Sequence, residues 1–337
     1  MPSLEQIASL IESCGPGLTA EADAARRDLC GDAVHLRGII EFSNVCSRNC
    51  AYCGLRRGNT ALPRYTMSGG QIIHIVADAE AMGVRTLVLQ SGESDACNAE
   101  ALANVIAAVK RRFDVAITLS VGVKPVELYR LWREVGADRF LLKFEAANPQ
   151  LYGKFNTHTN VEDRLAALEA LRDLGYQTGS GNMIGLPGQT VRDLAADIAL
   201  ARDLDLDMAA FGPFVPHPAT PLGAEPPGDL DLALRVVAVA RHVLGPVHIP
   251  ATTAFDAIAP DGRERALRAG ANVIMPNLTP LDVRGLYQIY PSDRTKNSID
   301  NVKALLHRIG RPLATDQGHS LKRGPSPSEI LWRGSYV

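Results

Sequence analysis

The sequence predicts a single (β/α)8 barrel of the TIM type, which is an α/β fold. Three observations support this prediction. Short apolar runs alternate with longer helical segments from Leu36 onward, eight runs can be counted, and several helical segments end at a glycine. The length of 337 residues also suits one such barrel, because barrels of this type range from about 200 to more than 400 residues.

The strand candidates are short apolar runs bounded by turn residues. They are Gly38–Ser43, residues 86–90, 116–121 and 139–144, Gln177–Ile184, and residues 208–214, 247–251 and 271–275. The helical segments lie at residues 70–82, Ala99–Arg112, 125–135, 161–174, 191–204, 229–244 and 263–269, with a last one at 298–308. Glycines that can take the left-handed conformation follow four of them: Gly83, Gly136, Gly175 and Gly270.

Two short helices, Leu4–Glu12 and residues 19–29, are predicted before the barrel. We therefore divide the chain into an N-terminal helical cap at residues 1–35, the barrel at 36–310 and a C-terminal tail at 311–337. A doubly wound open sheet is the alternative, and a Gly-x-Gly-x-x-Gly loop would follow its first strand. A cysteine-rich loop stands there instead, which favours the barrel, with its active site at the carboxyl ends of the strands.

The composition indicates an ordinary globular protein. It is 46% hydrophobic and 21% charged, with a formal net charge of -2. This charge gives no electrostatic reason to expect binding to nucleic acid or to an anionic membrane. Neither a secretion signal nor an apolar run of roughly 20 residues is found. We therefore expect a cytoplasmic protein whose cysteines stay reduced.

The first predicted strand leads into Cys46, Cys50 and Cys53, with the spacing Cys-x3-Cys-x2-Cys. A structural zinc site usually has four protein ligands, and a 4Fe-4S cluster takes a thiolate on each iron. Three cysteines therefore leave one iron of a cluster open to another ligand. A zinc site completed by a distant His or Asp, a disulfide, and chance spacing are the alternatives. The scattered cysteines are predicted to be small buried or half-buried residues: Cys14, Cys30 and Cys97.

Polar residues follow nearly every predicted strand, at the rim where a barrel enzyme has its active site. Gly92 permits close approach of the backbone to a ligand. Glu93 can accept a hydrogen bond from an ammonium group or can lie at a helix N-terminus. Thr118 and Ser120 share one face of the third strand, as satisfied core hydroxyls or as ligand contacts.

The later strands add further polar groups. Glu145 follows the fourth strand, and a buried carboxylate there would suit a ribose or ammonium contact. Arg164 can pair with a carboxylate or can lie exposed on its helix. The glycine-rich residues 179–190 suit a flat ligand such as adenine. Thr252 and Thr253 follow the seventh strand, where hydroxyl groups and few carboxylates would suit a polar or anionic substrate. His217, between two prolines, is predicted to be a structural hydrogen-bonding residue.

The cysteine spacing, with Tyr52 before the last cysteine, resembles that of the radical S-adenosylmethionine (SAM) superfamily. In that superfamily the open iron of a 4Fe-4S cluster binds SAM, which is cleaved to a 5'-deoxyadenosyl radical. Several blocks resemble the HydE family of FeFe-hydrogenase maturases, in the biotin synthase-like group. They are residues 40–46, 52–57, 89–93, 183–190, 212–218, 249–254 and 270–277. The resemblance covers roughly residues 36–292.

The resemblance implies a role for each matching residue. The cluster ligands would be Cys46, Cys50 and Cys53. The SAM contacts would be Tyr52, Gly92, Glu93, Ser120, Glu145, Arg164 and Met183. The substrate cavity would be lined by Thr118, Thr252, Thr253 and Tyr287. The implied substrate is a small cysteine-bound iron carbonyl cyanide complex. The implied partners are an electron donor such as ferredoxin or flavodoxin and other hydrogenase maturases, with no nucleic acid or membrane.

The chain differs from the usual HydE pattern at residues 94–97, at Val123 and at Phe144, and no cysteine for a second cluster follows Cys97. These differences leave the SAM chemistry in place and concern the substrate. A second hypothesis is therefore a radical SAM lyase or mutase, like methylornithine synthase, with an amino-acid-derived substrate. A third is a zinc-stabilised barrel that serves as a scaffold or binding protein.

Overall fold

The computed structural model describes residues 1–12, 17–94, 98–157, 159–292 and 297–322. The strands in these residues are β1 (His35–Leu36), β2 (Gly38–Ser43), β3 (Thr86–Ser91), β4 (Ala116–Ser120), β5 (Arg139–Leu141), β6 (Gln177–Ile184), β7 (Met208–Pro213) and β8 (Val273–Ile274). Strands β2 to β7 form one parallel sheet in chain order, and β1 pairs with β8 in a second parallel sheet.

Single parallel bridges join the two sheets into a ring. Met208 bridges His248, Pro250 bridges Val273, and Ile39 bridges Asn277. The last segments of the barrel thus pair with the first ones, and the strands form a ring. The predicted α/β barrel is confirmed. The prediction of a strand at 247–251 is wrong, because the residues of this segment form only isolated bridges. Pro250 lies in its middle and has no N–H for a strand ladder.

The helices are α1 (Leu4–Glu12), α2 (Leu18–Cys30), α3 (Gly69–Ala81), α4 (Ala99–Arg112), α5 (Val126–Glu134), α6 (Pro149–Phe155), α7 (Val161–Asp173), α8 (Val191–Asp203), α9 (Leu230–Leu244), α10 (Thr253–Ile258), α11 (Gly262–Arg268), α12 (Leu281–Arg284) and α13 (Ile299–Arg308). Three of these, α6, α10 and α12, are not among the predicted helices. They have seven residues or fewer, which is too short for a clear helical periodicity. None of the described helices has the length and apolar character needed to span a bilayer.

Local sequence explains where several helices begin and end. Ser68 and Gln71 form a reciprocal capping box at the start of α3, and Thr190 and Asp193 form another at the start of α8. The glycines predicted after helices all have a positive φ, between 81° and 106°: Gly83, Gly136, Gly175 and Gly270. These residues mark the points where the chain enters and leaves the helices between the strands.

The two N-terminal helices lie on the outside of the barrel. Helix α1 packs against α8 and α9, and α2 packs against α9 and α11. Residues 316–320, by contrast, cross the base of the barrel at the N-terminal ends of the strands. Arg139 Nη2 donates to the Gln317 carbonyl at 2.7 Å, and the His248 ring lies 2.9 Å from the His319 carbonyl. The tail therefore closes the base of the barrel at these positions.

Candidate active site at the carboxyl ends of the strands

The segment between β2 and α3, residues 44–66, is called the cysteine loop below. Backbone hydrogen bonds fix it to neighbouring segments: for example, Ser47 N donates to the Glu93 carbonyl at 2.8 Å, and Ala51 N donates to the Phe155 carbonyl at 2.9 Å. Nη1 of Arg64 donates to the carbonyls of Asn44 and Leu55 within the loop, at 2.7 and 2.8 Å. The loop is therefore held in place by its own backbone contacts.

Cys46, Cys50 and Cys53 are free, half-buried thiols on this loop. Burial raises the pKa of all three, and the neighbouring thiols raise it further at Cys50, to about 11, and at Cys53. Among the described residues, no three His, Cys, Asp or Glu side chains are close enough to hold a single metal ion. An iron–sulfur cluster holds its thiolates further apart than one ion does, and three neighbouring thiols on one loop fit that requirement.

Glycine allows the end of β3 to approach the cysteine loop closely. A Cβ at Gly92 would lie 2.4 Å from the Val45 carbonyl oxygen and 2.8 Å from Cys46 Cβ. A Cβ at Gly122, which has φ of 76°, would lie 2.2 Å from Glu93 Cγ. Any larger residue at these two positions would displace the cysteine loop or Glu93.

Glu93 is buried between two arginines. Arg48 Nε lies 2.7 Å from Glu93 Oε1, and Arg164 Nη2 lies 3.1 Å from Glu93 Oε2. Arg164 is 8% exposed and also donates to the Tyr152 hydroxyl at 2.9 Å. Burial, the largest single influence, would lower the pKa of Arg164, but the Glu93 carboxylate together with Tyr152, Tyr52 and Glu145 outweighs it, and the pKa is raised. Of the two alternatives for Arg164, the ion pair is confirmed.

Glu145 stands at the rim in a strained backbone conformation. Its φ is 67°, a region that residues other than glycine rarely adopt. Lys143 Nζ lies 3.4 Å from Glu145 Oε2, but this buried oxygen has no partner with hydrogen-bond geometry. Strand β5 ends at Leu141, before the predicted boundary at residue 144. Strain and an unsatisfied carboxylate together are typical of a functional site.

The barrel encloses a cavity of about 360 Å³. The predicted site residues that line it are Tyr52, Thr118, Glu145, Met183, Thr252 and Thr253. The buried hydroxyl oxygens of Thr118 and Thr252 have no hydrogen-bond partner in the described chain, while Thr253 Oγ1 lies 2.6 Å from the Tyr290 hydroxyl. Unpartnered hydroxyls that face a cavity are available to a ligand.

The other predicted residues stand around or behind this cavity. Tyr287 is buried, and its hydroxyl accepts from Gln90 Nε2 at 3.1 Å; Gln90 itself lines the cavity. Ser120 is the register partner of Gln90 at the end of β4. Gly92, Glu93 and Arg164 lie at the cysteine loop. The described positions that differ from the HydE pattern, Ser94, Val123 and Phe144, are not among the lining residues. Residues 95–97 and Cys14 lie outside the described residues.

The expectation of few carboxylates is wrong. Glu41, Glu145 and Asp256 all line the cavity. Asp256 pairs with Arg263, whose Nε lies 2.5 Å from Asp256 Oδ2, and Glu41 accepts from Asn277 Nδ2 at 3.1 Å. The sequence could have identified Glu41 as a candidate cavity residue, because it is a charged residue in the middle of an apolar strand.

Arg37, also missed from sequence, is a cation near the base of the cavity. It is 5% exposed and forms no ion pair within the described part of the chain. It contacts Met208 Sδ and lies 3.5 Å from the Gly318 carbonyl, while its Nε has no partner. Burial lowers the pKa of Arg37 well below its usual value. An anionic guest in the cavity would stabilise this guanidinium.

His217 has the structural role predicted for it. Ala219 N donates to His217 Nδ1 at 3.1 Å, and His217 Nε2 lies 3.3 Å from Gln288 Oε1. Both ring nitrogens are therefore engaged with protein groups near the cysteine loop.

Comparison with known proteins defines the class of this site. A profile of the Radical SAM superfamily matches residues 40–201, a range that begins in β2 and includes the cysteine loop. The protein is a radical SAM enzyme, and this class implies a 4Fe-4S cluster and SAM as cofactors.

The chain is 47% identical over 302 residues to the [FeFe] hydrogenase maturase subunit HydE of Thermotoga maritima, which covers 88% of this chain and 86% of that protein. It therefore belongs to the HydE family of radical SAM enzymes, as the sequence resemblance predicted. Two crystal structures share the fold. Methylornithine synthase has a TM-score of 0.82 at 22% identity, covering 93% of this chain and 94% of that one. The maturase HydG from Carboxydothermus hydrogenoformans has a TM-score of 0.78 at 20% identity, covering 91% and 75%.

Proposed function

We propose that the protein acts in maturation of the FeFe-hydrogenase H-cluster, on a small cysteine-bound iron carbonyl cyanide complex. The observation that carries this proposal is the 47% identity to a HydE over 88% of the chain. Ferredoxin or flavodoxin would be the electron donor, and other hydrogenase maturases would be partners. The cytoplasm, which keeps thiols reduced, is the proposed compartment. We also propose the division into a helical cap (1–35), a barrel (36–310) and a tail (311–337).

Cys46, Cys50 and Cys53 would hold the cluster and leave one iron for SAM. When bound and reduced there, SAM supplies a 5'-deoxyadenosyl radical. The residues proposed around SAM are Tyr52, Gly92, Glu93, Ser120, Glu145, Arg164 and Met183. Glu145 Oε2 has an ion-pair contact with Lys143 but no hydrogen-bond partner, which suits it to accept from an ammonium group or a ribose hydroxyl. Arg164 supplies a cation at the rim that can bind a carboxylate.

The substrate would lie deeper, against Thr118, Thr252 and Thr253, with Tyr287 acting through Gln90. The unpartnered hydroxyls of Thr118 and Thr252 can donate to an anionic guest. Arg37, at the base, supplies the compensating positive charge. Apolar wall residues exclude water, which strengthens these polar contacts. They include Ile39, Leu141, Ala210 and Phe214.

The second candidate is a radical SAM lyase or mutase that takes an amino-acid-derived substrate. Glu41 and Asp256 favour it, because carboxylates in the cavity wall suit a substrate with an ammonium group. The third candidate is a zinc-stabilised scaffold. The test of all three is anaerobic reconstitution with iron and sulfide, followed by incubation with SAM, a reductant and the iron carbonyl cyanide complex.

The proposed function predicts an adenosylated product of the iron complex, identified by its mass. Release of 5'-deoxyadenosine without that adduct would favour the second candidate. Uptake of zinc with no cluster absorption and no 5'-deoxyadenosine would leave only the scaffold.

A further inference from the structure

The cysteine loop carries an unbalanced positive charge. Residues 44–66 contain four arginines and no Asp or Glu, in a chain whose formal net charge is -2. Arg48 is neutralised by Glu93. The other three, Arg56, Arg57 and Arg64, form no ion pair within the described residues. The loop that holds the thiols is therefore a local site of positive potential.

Hydrogen bonds to carbonyl groups hold these three residues on the cysteine loop. Arg56 Nη2 lies 3.5 Å from the carbonyl of Asn49, which stands directly before Cys50. Arg57 is exposed, and its backbone N–H donates to the Arg48 carbonyl at 2.7 Å. The Arg64 guanidinium is occupied by carbonyl groups alone: those of Asn44, Leu55, Arg56 and Asn59. These contacts occupy Nη1 and Nη2 of Arg64 and leave its charge without a counterion among the described residues.

A fourth cation stands next to the loop, on α6. Lys154 is exposed, and its Nζ donates to the Pro187 carbonyl at 3.3 Å. The next residue, Phe155, accepts the backbone bond from Ala51 of the cysteine loop. We call Arg56, Arg57, Arg64 and Lys154 the basic face. The segment that contacts the loop through Leu222 contributes one exposed carboxylate, Glu225.

Many arginines elsewhere in the described chain are neutralised by a neighbouring carboxylate. They include the pairs Arg27–Asp32, Arg192–Glu5, Arg202–Asp203, Arg265–Asp231 and Arg308–Glu264. The cysteine loop differs because several unneutralised cations are concentrated around the three thiols. Such an arrangement attracts a negatively charged partner to this part of the surface.

We propose that the basic face is the docking surface for a small acidic electron-transfer protein. The inference rests on the proposed function, because that function requires one electron to reach the cysteine loop from outside. The reduced donor loses that electron and the cluster gains it, and no bond forms or breaks. A donor seated on the basic face contacts the loop that carries the three half-buried thiols. Redox complexes have small interfaces, and charge complementarity sets their association rate.

The test uses the reconstituted holoenzyme and an acidic flavodoxin as the probe. One double variant combines Arg57→Glu with Lys154→Glu; neither side chain belongs to the proposed cluster, SAM or substrate contacts. The matched control combines Arg111→Glu with Arg130→Glu, two exposed residues on α4 and α5, with the same change in charge. Flavodoxin binding and the rate of cluster reduction are measured at about 0.1 M and about 1 M salt, which change the Debye length from about 10 Å to about 3 Å. Dithionite serves as a donor that needs no docking.

We expect the variant on the basic face to bind flavodoxin more weakly, and its cluster to be reduced about tenfold more slowly at the lower salt concentration. The difference should shrink at the higher concentration. The control variant should match the wild type, and reduction by dithionite should be unchanged in both variants.

The proposal would be overturned if flavodoxin reduced the cluster of the variant on the basic face at the wild-type rate. An equal loss of reduction rate in the control variant, or with dithionite as the donor, would also overturn it. Slower capture of the iron complex with unchanged flavodoxin rates would also overturn it, and would assign the face to steering of an anionic substrate. A wild-type holoenzyme that releases no 5'-deoxyadenosine even with dithionite would instead contradict the proposed function. The two failures are therefore distinguishable.

Discussion

Glu93 and Arg164 form a buried ion pair, in which Arg164 Nη2 lies 3.1 Å from Glu93 Oε2. The pair joins the end of β3 to α7, across 71 residues of sequence. Arg48, on the cysteine loop, binds the other oxygen of the same carboxylate at 2.7 Å. Three segments of the rim are thus connected through one carboxylate, and this fixes its position before any ligand binds.

Arg164→Ala should destabilise the protein. Removing one partner of a buried ion pair leaves a charge without compensation, and Glu93 retains only Arg48. We expect a loss of about 3 kcal/mol in the free energy of unfolding, at the low end for broken buried pairs, measured by anaerobic urea unfolding. Arg130→Ala, on the exposed side of α5, is the control and should change stability by less than about 0.5 kcal/mol. A loss for Arg164→Ala as small as that of the control would contradict the role assigned to the pair.

Cys50→Ala should abolish the cluster and SAM cleavage while leaving the barrel folded. Cys50 is half-buried on a loop at the rim and is not part of the barrel core. Iron and sulfide content and visible absorption report the cluster, and circular dichroism reports the fold. Cys30→Ala is the matched control, because Cys30 lies at the end of α2, and it should reconstitute normally. Global unfolding of Cys50→Ala would indicate a structural metal instead.

Thr252→Val and Thr253→Val should differ in stability. The Thr252 hydroxyl is buried without a partner, so replacing it with a methyl group should leave stability unchanged or raise it by up to about 1 kcal/mol. Thr253→Val removes the 2.6 Å hydrogen bond to Tyr290 and should cost about 1 kcal/mol. Urea unfolding of the two variants measures this difference, and a greater loss at Thr252 would refute it.

The same two variants test the substrate assignment. Both should release 5'-deoxyadenosine from SAM at the wild-type rate in the absence of substrate, but both should turn over substrate more slowly. Chromatography of the nucleoside and mass spectrometry of the product separate these two readouts. Equal loss of both activities would place these threonines in the SAM site.

Asp197 should make stability depend on pH. Burial raises the pKa of Asp197 from 3.8 to about 7, although Ala147 N and Asn182 Nδ2 both donate to it at 2.6 Å. Between about pH 4 and pH 7 the folded state therefore binds a proton that the unfolded state has lost, so stability falls as pH rises. The slope is at most about 1.4 kcal/mol per pH unit.

Urea unfolding at a series of pH values measures this slope. Other groups also titrate in this range, so the comparison is with Asp197→Asn, in which this position cannot titrate. The variant should lose the decline between about pH 4 and pH 7. An identical profile in both proteins would show that Asp197 is ionised in the folded state.

The features that could be predicted from the sequence are local ones. The cysteine spacing lies within eight residues, and the strands predicted at Gly38–Ser43 and Gln177–Ile184 have the predicted boundaries. The capping signals at Ser68 and Thr190 mark the starts of α3 and α8. In each case the residues that determine the structure are close together in the chain.

The missed features depend on contacts between distant segments. Glu93 lies 45 residues from Arg48 and 71 from Arg164, and nothing in the sequence around it specifies which cations it meets. Arg37 was missed because its neighbour Gly318 is 281 residues away. The segment at 247–251 has the composition of a strand, but its partners allow only isolated bridges. Tertiary contacts decided each of these outcomes.

The tail at the base of the barrel also bears on the order in which the chain folds. Synthesis proceeds from the N-terminus, so residues 316–320 leave the ribosome after every strand of the barrel. Until they emerge, Arg139 lacks the Gln317 carbonyl and His248 lacks the His319 carbonyl. The cysteine loop and the rim therefore emerge before the residues that close the base, and the base contacts of Arg139 and His248 can form only after every strand has been synthesised.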